Sequence, residues 1–269
     1  MKTKIILLLT ACLIFLLDSC LPGKVINGNG DIVTETIAVS DYKRIKAASG
    51  NMEIRYTQSA DAPYLQVKTD RNIYDMYTFE VDDNGILQIK PRNKYRNNYN
   101  FRPTVFLITA HSSTLEKVEL AGSTEFYTDS PLITEELVVE LSGSGDINLQ
   151  EKVTTNRLGV SIAGSATLNV AEVYCNQFKG EIAGSGRMNI GGEAVKANFD
   201  VAGSGKIRAF DLQVDDLKCN VAGSGNIEAS VKESIDVSAV GSGKVRYKGN
   251  PATINRNIIG SGSIIKVED

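Results

Sequence analysis

The sequence predicts an all-β protein: a parallel β-helix (β-solenoid) of about eight coils of ~20 residues, with a β-rich cap at its N-terminal end. Three observations predict it. A Gly-Ser pair recurs at a nearly fixed period, the residues flanking each pair alternate apolar and polar, and the repeated units lack helical periodicity.

The pairs are Gly122-Ser123, Gly143-Ser144, Gly164-Ser165, Gly184-Ser185, Gly203-Ser204, Gly223-Ser224, Gly241-Ser242 and Gly260-Ser261. Their spacings are 21, 21, 20, 19, 20, 18 and 19 residues, and six of the eight continue as Gly-Ser-Gly. Two residues before each glycine stand Leu120, Leu141, Ile162, Ile182, Val201, Val221, Ala239 and Ile258. Four after it stand Phe126, Ile147, Leu168, Met188, Ile207, Ile227, Val245 and Ile264. With 42% hydrophobic residues in the chain, sixteen apolar positions in sixteen arise by chance about once in a million. The positions three before and three after are polar in all eight units. Alternation on both sides of the glycine means two strands per unit, each with one buried face. The glycine supplies the corner between them. The serines are expected to close hydrogen bonds at these turns as a structural ladder, since nucleophilic catalysis needs one activated serine and not eight equivalent ones.

Taken from the N-terminus, Lys2 and Lys4 precede an apolar run from Ile5 to Leu17 that is broken by Thr10. This reads as a secretory signal over residues 1–19, being shorter than the ~20 apolar residues a membrane span needs. Leu17-Asp18-Ser19-Cys20 looks like a bacterial lipobox, with Asp18 departing from the usual small or aliphatic residue. Cys20 is then the lipidation site and the membrane anchor, and residues 20–31 form a tether. Residues 32–110 hold short strand-like runs and form the β cap, and Asp82-Asp83-Asn84-Gly85 marks a hairpin within it. Ser49-Gly50-Asn51 reads as a degenerate corner of the same repeat. The Gly-Ser-Gly rod occupies residues 111–269.

Composition narrows the function. Net charge is −3, too balanced for a nucleic-acid binder. The single histidine, His111, excludes multi-histidine metal sites, and no phosphate or dinucleotide fingerprint is present, so neither a metal nor a cofactor is expected. Cys175 and Cys219 are two thiols that an exported protein could pair, but they fall at different phases of the repeat, so buried or free thiols are the expectation.

A signal, a degenerate β segment and the corners Ala183-Gly184-Ser185-Gly186, Ala202-Gly203-Ser204-Gly205, Ala222-Gly223-Ser224-Gly225, Val240-Gly241-Ser242-Gly243 and Ile259-Gly260-Ser261-Gly262 occur in this order. The chain resembles the putative auto-transporter adhesin, head GIN domain family, exported proteins of Bacteroidetes. The resemblance covers residues 38–250 or more. It implies a right-handed coil, an adhesion role and no catalytic residues to transfer.

Two basic features are candidate ligand sites. Arg187, Lys206, Arg208, Lys244 and Arg246 fall outward on the strand after the corner, as a stripe able to bind a polyanion. Arg92, Lys94, Tyr95, Arg96 and Tyr99 interleave charge with aromatic rings. The bland reading of both is solvated surface. The expected function is non-catalytic binding or adhesion at the cell envelope, on the outer membrane, through a glycan or an envelope protein. The alternatives are a polysaccharide-active enzyme, for which Glu125 and Asp146 are the best acid pair, and a structural component of the envelope.

Overall fold

The structure, a computed structural model, describes residues 23–48, 50–96 and 99–268. The signal segment, Cys20 and the first residues of the tether lie outside the described residues, as does Ser49.

In the rod, each coil has three short faces. In residues 167–184, burial alternates within 167–170, 173–175 and 178–182; exposed pairs at 171–172 and 176–177 mark two corners, and Gly-Ser makes the third. Successive coils pair in parallel, and the glycines from Gly122 to Gly260 occupy one column. Because each inward side chain stacks on its counterpart above and below, burial is nearly complete. Leu168, Met188, Ile207 and Ile227 are all 0% exposed. In the last described coil, where the described strands pair on one side only, Ile258 and Ile264 are half-buried.

The corner requires glycine twice over. Gly223 has φ +117°, and a Cβ there would stand 2.6 Å from the Gly203 carbonyl oxygen. That oxygen accepts the Ser224 backbone N–H at 2.9 Å. The same bond recurs from Ser144, Ser165, Ser185, Ser204 and Ser242, each to the glycine one coil earlier. The expected serine ladder is therefore built by backbone N–H groups, while the hydroxyls from Ser123 to Ser261 lie exposed. The bend already aims each serine N–H along the rod axis, so the corner closes without the side chain.

The N-terminal half opens with β1 (Lys24–Asn27), β2 (Ile32–Ile37), β3 (Arg44–Ala48) and β4 (Glu53–Gln58). Then come β5 (Tyr64–Asp70), α1 (Arg71–Tyr74), β6 (Tyr77–Val81), β7 (Ile86–Pro91), β8 (Tyr99–Arg102) and β9 (Phe106–Ser112). The first Gly-Ser coil follows as β10 (Lys117–Gly122) and β11 (Glu125–Thr128). Strands β3 and β4 flank Gly50 and pair in parallel with β10 and β11, with Ala48 beside Ala121 and Glu53 beside Glu125. On their other side, β3 pairs in parallel with β7 and β4 with β9. The coil formed first along the chain is thus sandwiched between strands that come after it.

Beyond this layer the sheet turns antiparallel, through β6 on β7 and through β5 on β9 followed by β2 on β5. Covering the end of the stack in this way hides a parallel edge that would otherwise invite further pairing. The hairpin between β6 and β7 turns at Asp82, whose Oδ1 accepts the N–H groups of Asn84 (2.9 Å) and Ile86 (3.1 Å). Asp70, fully buried, ties the cap together. Its carboxylate accepts the N–H of Gly30 (2.8 Å) and of Thr104 (2.7 Å) and the Thr104 hydroxyl (2.9 Å).

Cys175 and Cys219 are both free and buried. Burial pushes the Cys175 thiol up to about 11. Cys219 sits among core residues in the column of Phe199 and Val237, and burial drives its thiol far above the usual range.

Candidate functional site

Two columns of outward side chains run along the face that follows the Gly-Ser corner. The first reads Glu53, Glu125, Asp146, Thr167, Arg187, Lys206, Asn226, Lys244, Ser263. The second, two residues further on, reads Arg55, Tyr127, Asn148, Asn169, Asn189, Arg208, Glu228, Arg246, Ile265. Neighbouring members of a column are separated by one strand spacing, about 4.8 Å. The structure therefore brings Arg187, Lys206, Arg208, Lys244 and Arg246 onto one exposed surface.

Arg246 is engaged locally: Nη1 donates to Glu228 Oε1 at 2.9 Å, and the guanidinium lies over the Phe210 ring. Among the described residues, Arg187, Lys206, Arg208 and Lys244 have no carboxylate within ion-pair distance. Arg187 and Lys206 are like charges one strand spacing apart, so an anion laid beside them would relieve a cost already present in the fold.

Charged positions alone do not reveal the middle of this face. Asn148, Asn169 and Asn189 form an amide ladder in which each Nδ2 donates to the Oδ1 one coil earlier, at 2.8 Å and 2.6 Å. A shallow groove of about 410 Å³ runs beside it, lined also by Gln150, Gly191 and Asp211. The signal was available in the sequence as three asparagines five residues after successive corner glycines.

At the far end of the face, Arg55 pairs with Asp129 through Nε (2.8 Å) and also meets Glu53 (3.1 Å). Glu125 accepts the Tyr127 hydroxyl at 2.9 Å, and Asp146 accepts the Thr167 N–H at 3.2 Å. Glu125 and Asp146 are thus stacked side by side on one surface, each held by its own neighbour. Among the described residues, no group of three or more His, Cys, Asp or Glu side chains is arranged to hold a metal ion.

The acids before the corner, Glu119, Glu140, Glu181 and Asp200, share another column. Their neighbours neutralise much of it: Lys46 meets Glu119 (3.3 Å), Lys117 meets Glu140 (3.0 Å) and Lys179 meets Glu181 (2.6 Å).

The second candidate segment belongs to the cap. Arg92 Nε donates to the Tyr77 carbonyl at 3.1 Å. Tyr95 and Tyr99 pack edge-on at 5.4 Å, both half-buried, with the Lys94 ammonium over Tyr95. Lys94 and Arg96 are exposed. The rings serve the packing of the cap, and this segment joins the fold near β7, several coils from the stripe. His111, in β9, stacks on Tyr64 at 5.2 Å.

The putative auto-transporter adhesin, head GIN domain family matches the chain twice, over residues 41–153 and 139–251. No curated protein matches it. Among solved structures, a putative lipid binding protein from Parabacteroides distasonis is 37% identical, with a TM-score of 0.87 over 91% of this chain and 100% of its own. A putative adhesin from the same species is 30% identical, with a TM-score of 0.84 over 91% of this chain and 100% of its own. A putative adhesin from Parabacteroides merdae is 27% identical, with a TM-score of 0.84 over 91% of this chain and 99% of its own. The repeated corners, the stacked coils and these matches meet on one conclusion: the chain belongs to the putative auto-transporter adhesin, head GIN domain family.

Proposed function

We propose that the chain is a non-catalytic binding module of adhesion type, tethered at the cell envelope through Cys20, whose basic face grips an anionic glycan. The observation that carries this reading is the alignment of Arg187, Lys206, Arg208 and Lys244, exposed and without acidic partners among the described residues. A polymer with acidic groups along its length can meet Arg187 and Lys206 in successive coils and Lys244 beyond the coil of Asn226, and the summed field raises its association rate as well as its affinity.

The amide ladder beside the stripe supports the same reading, because its remaining N–H groups and carbonyl lone pairs suit sugar hydroxyls. The groove beside the ladder adds the apolar Leu149, Val170 and Ile190 to its amides, and a sugar offers both an apolar ring face and hydroxyls to such a surface. The enzyme alternative fares worse. Glycoside hydrolysis places its carboxyl groups on either side of the scissile bond, and Glu125 and Asp146 share one face in adjacent coils.

Replacing Arg187, Lys206 and Arg208 together by Gln is expected to weaken binding to an anionic-glycan array at least tenfold, with melting nearly unchanged. Binding that survives the triple replacement would remove the stripe from the proposal. Release of reducing sugar from uronic-acid polymers would overturn the non-catalytic reading.

A further inference from the structure

The face after the corner is not uniformly basic. It changes sign along the rod. The coils of Glu53, Glu125 and Asp146 carry these three acids and the cation Arg55, that of Thr167 and Asn169 is neutral, and those from Arg187 to Arg246 carry five cations and the single acid Glu228. We propose that this face pairs with the same face of a second copy, the two rods antiparallel, so that the acidic end of each covers the basic end of the other.

The register follows from the columns. A twofold axis lying in the interface, parallel to the strands and between the coils of Thr167 and Arg187, keeps each column opposite itself and reverses the order of coils. Asp146 then faces Lys206 of the partner subunit, and Glu53 faces Lys244 of the partner subunit. Asn148 meets the partner's Arg208, and Asn169 meets the partner's Asn189, so the amide ladders, with donors and acceptors to spare, meet at the axis. One like-charged pair results, Arg55 against the partner's Arg246. Each of these is already neutralised within its own chain, by Glu53 and Asp129 in one case and Glu228 in the other. A twofold axis along the rod would instead exchange the columns and set each coil on its own copy, so that Lys206 faces the partner's Arg208 and Lys244 the partner's Arg246, which is unfavourable.

The face spans about 34 Å by about 13 Å over eight coils and four residues. This is small beside the ~800 Å² per partner of a stable interface, so the pair is weak, reversible and sensitive to salt. Antiparallel pairing also sets the two N-termini at opposite ends. If the N-terminal tether proposed above holds, that geometry joins copies anchored on facing surfaces. The pairing itself does not depend on the tether or on glycan binding.

Sedimentation of the full-length protein tests it. Wild type is expected to dimerise at high micromolar concentration in low salt and to dissociate in about 1 M salt, where screening acts within about 3 Å. Asp146→Lys alone and the pair Lys206→Glu with Arg208→Glu are each expected to sediment as monomers. An equimolar mixture of the two should recover a dimer, because both cross-contacts are then acid against base. Asp146→Lys should still bind anionic glycan, which separates this proposal from the function of the stripe. Circular dichroism at the wild-type intensity confirms that each variant is folded. A wild type that stays monomeric, reversal variants that still dimerise, or a mixture that fails to recover the dimer would each overturn the pairing.

Discussion

Asp70 shows how one side chain ties the strands of the cap together. Burial alone raises the pKa of its carboxyl, but the hydrogen bonds from Gly30 and Thr104 outweigh that and hold it below the ordinary 3.8. A carboxylate with a depressed folded-state pKa stabilises above its unfolded value and loses that contribution as pH falls through the folded one. Asp70→Asn is therefore expected to cost about 2 kcal/mol at pH 7. Urea denaturation at neutral pH and near pH 3 checks this, since the gap between wild type and variant should narrow as the wild-type carboxylate takes up its proton. The role of Asp70 was not legible in the sequence. Its partners, Gly30 and Thr104, lie 40 and 34 residues away and carry no repeat pattern.

At the scale of the element, the unit is the coil. Each coil contacts chiefly its two neighbours, so stability should be close to a sum of coil and interface terms. Deleting residues 165–184 joins Gly164 to Ser185 and keeps both corner and register. The shortened protein is expected to retain its β spectrum and to melt a few degrees lower. Deleting only residues 165–174 leaves a coil with a missing face, and that variant should fail to fold; circular dichroism and thermal melts distinguish the two outcomes. The coils were legible because Gly-Ser and its flanking apolar columns recur in one continuous stretch. The N-terminal coil was legible only as the faint corner at Gly50. Its neighbours β7 and β9 are brought together from separated segments around an antiparallel excursion, and alternation within a strand does not say which strand lies beside it. The stripe was legible for the same reason as the core, since outward positions are the complement of inward ones. The amide ladder and the change of sign along the face emerge only when columns are followed from coil to coil.

On the scale of the whole molecule, the two ends of the rod are unlike. The last coil ends on an exposed edge, where Arg256 and Lys266 continue the columns of Val237 and Tyr247. Charges placed in an inward column discourage a further strand from docking there. At the other end, β3 and β4 are gripped on both sides by strands that follow them in the chain. This difference sets how the molecule responds to tension. A load applied at the C-terminus peels hydrogen bonds one strand at a time, and each coil released adds about 70 Å of slack, from ~20 residues at ~3.5 Å each. A load applied at the N-terminus first meets β1 on β8 and β2 on β5, and then an interlocked layer that must shear as a block. With the second handle fixed to a coil in mid-rod, optical-tweezer traces are therefore expected to show a low-force staircase when the C-terminus is pulled and, after β1 and β2 are released, a high-force rupture when the N-terminus is pulled; equal traces would contradict the interlock. A rod held by its N-terminus would meet its load at the end built to resist it.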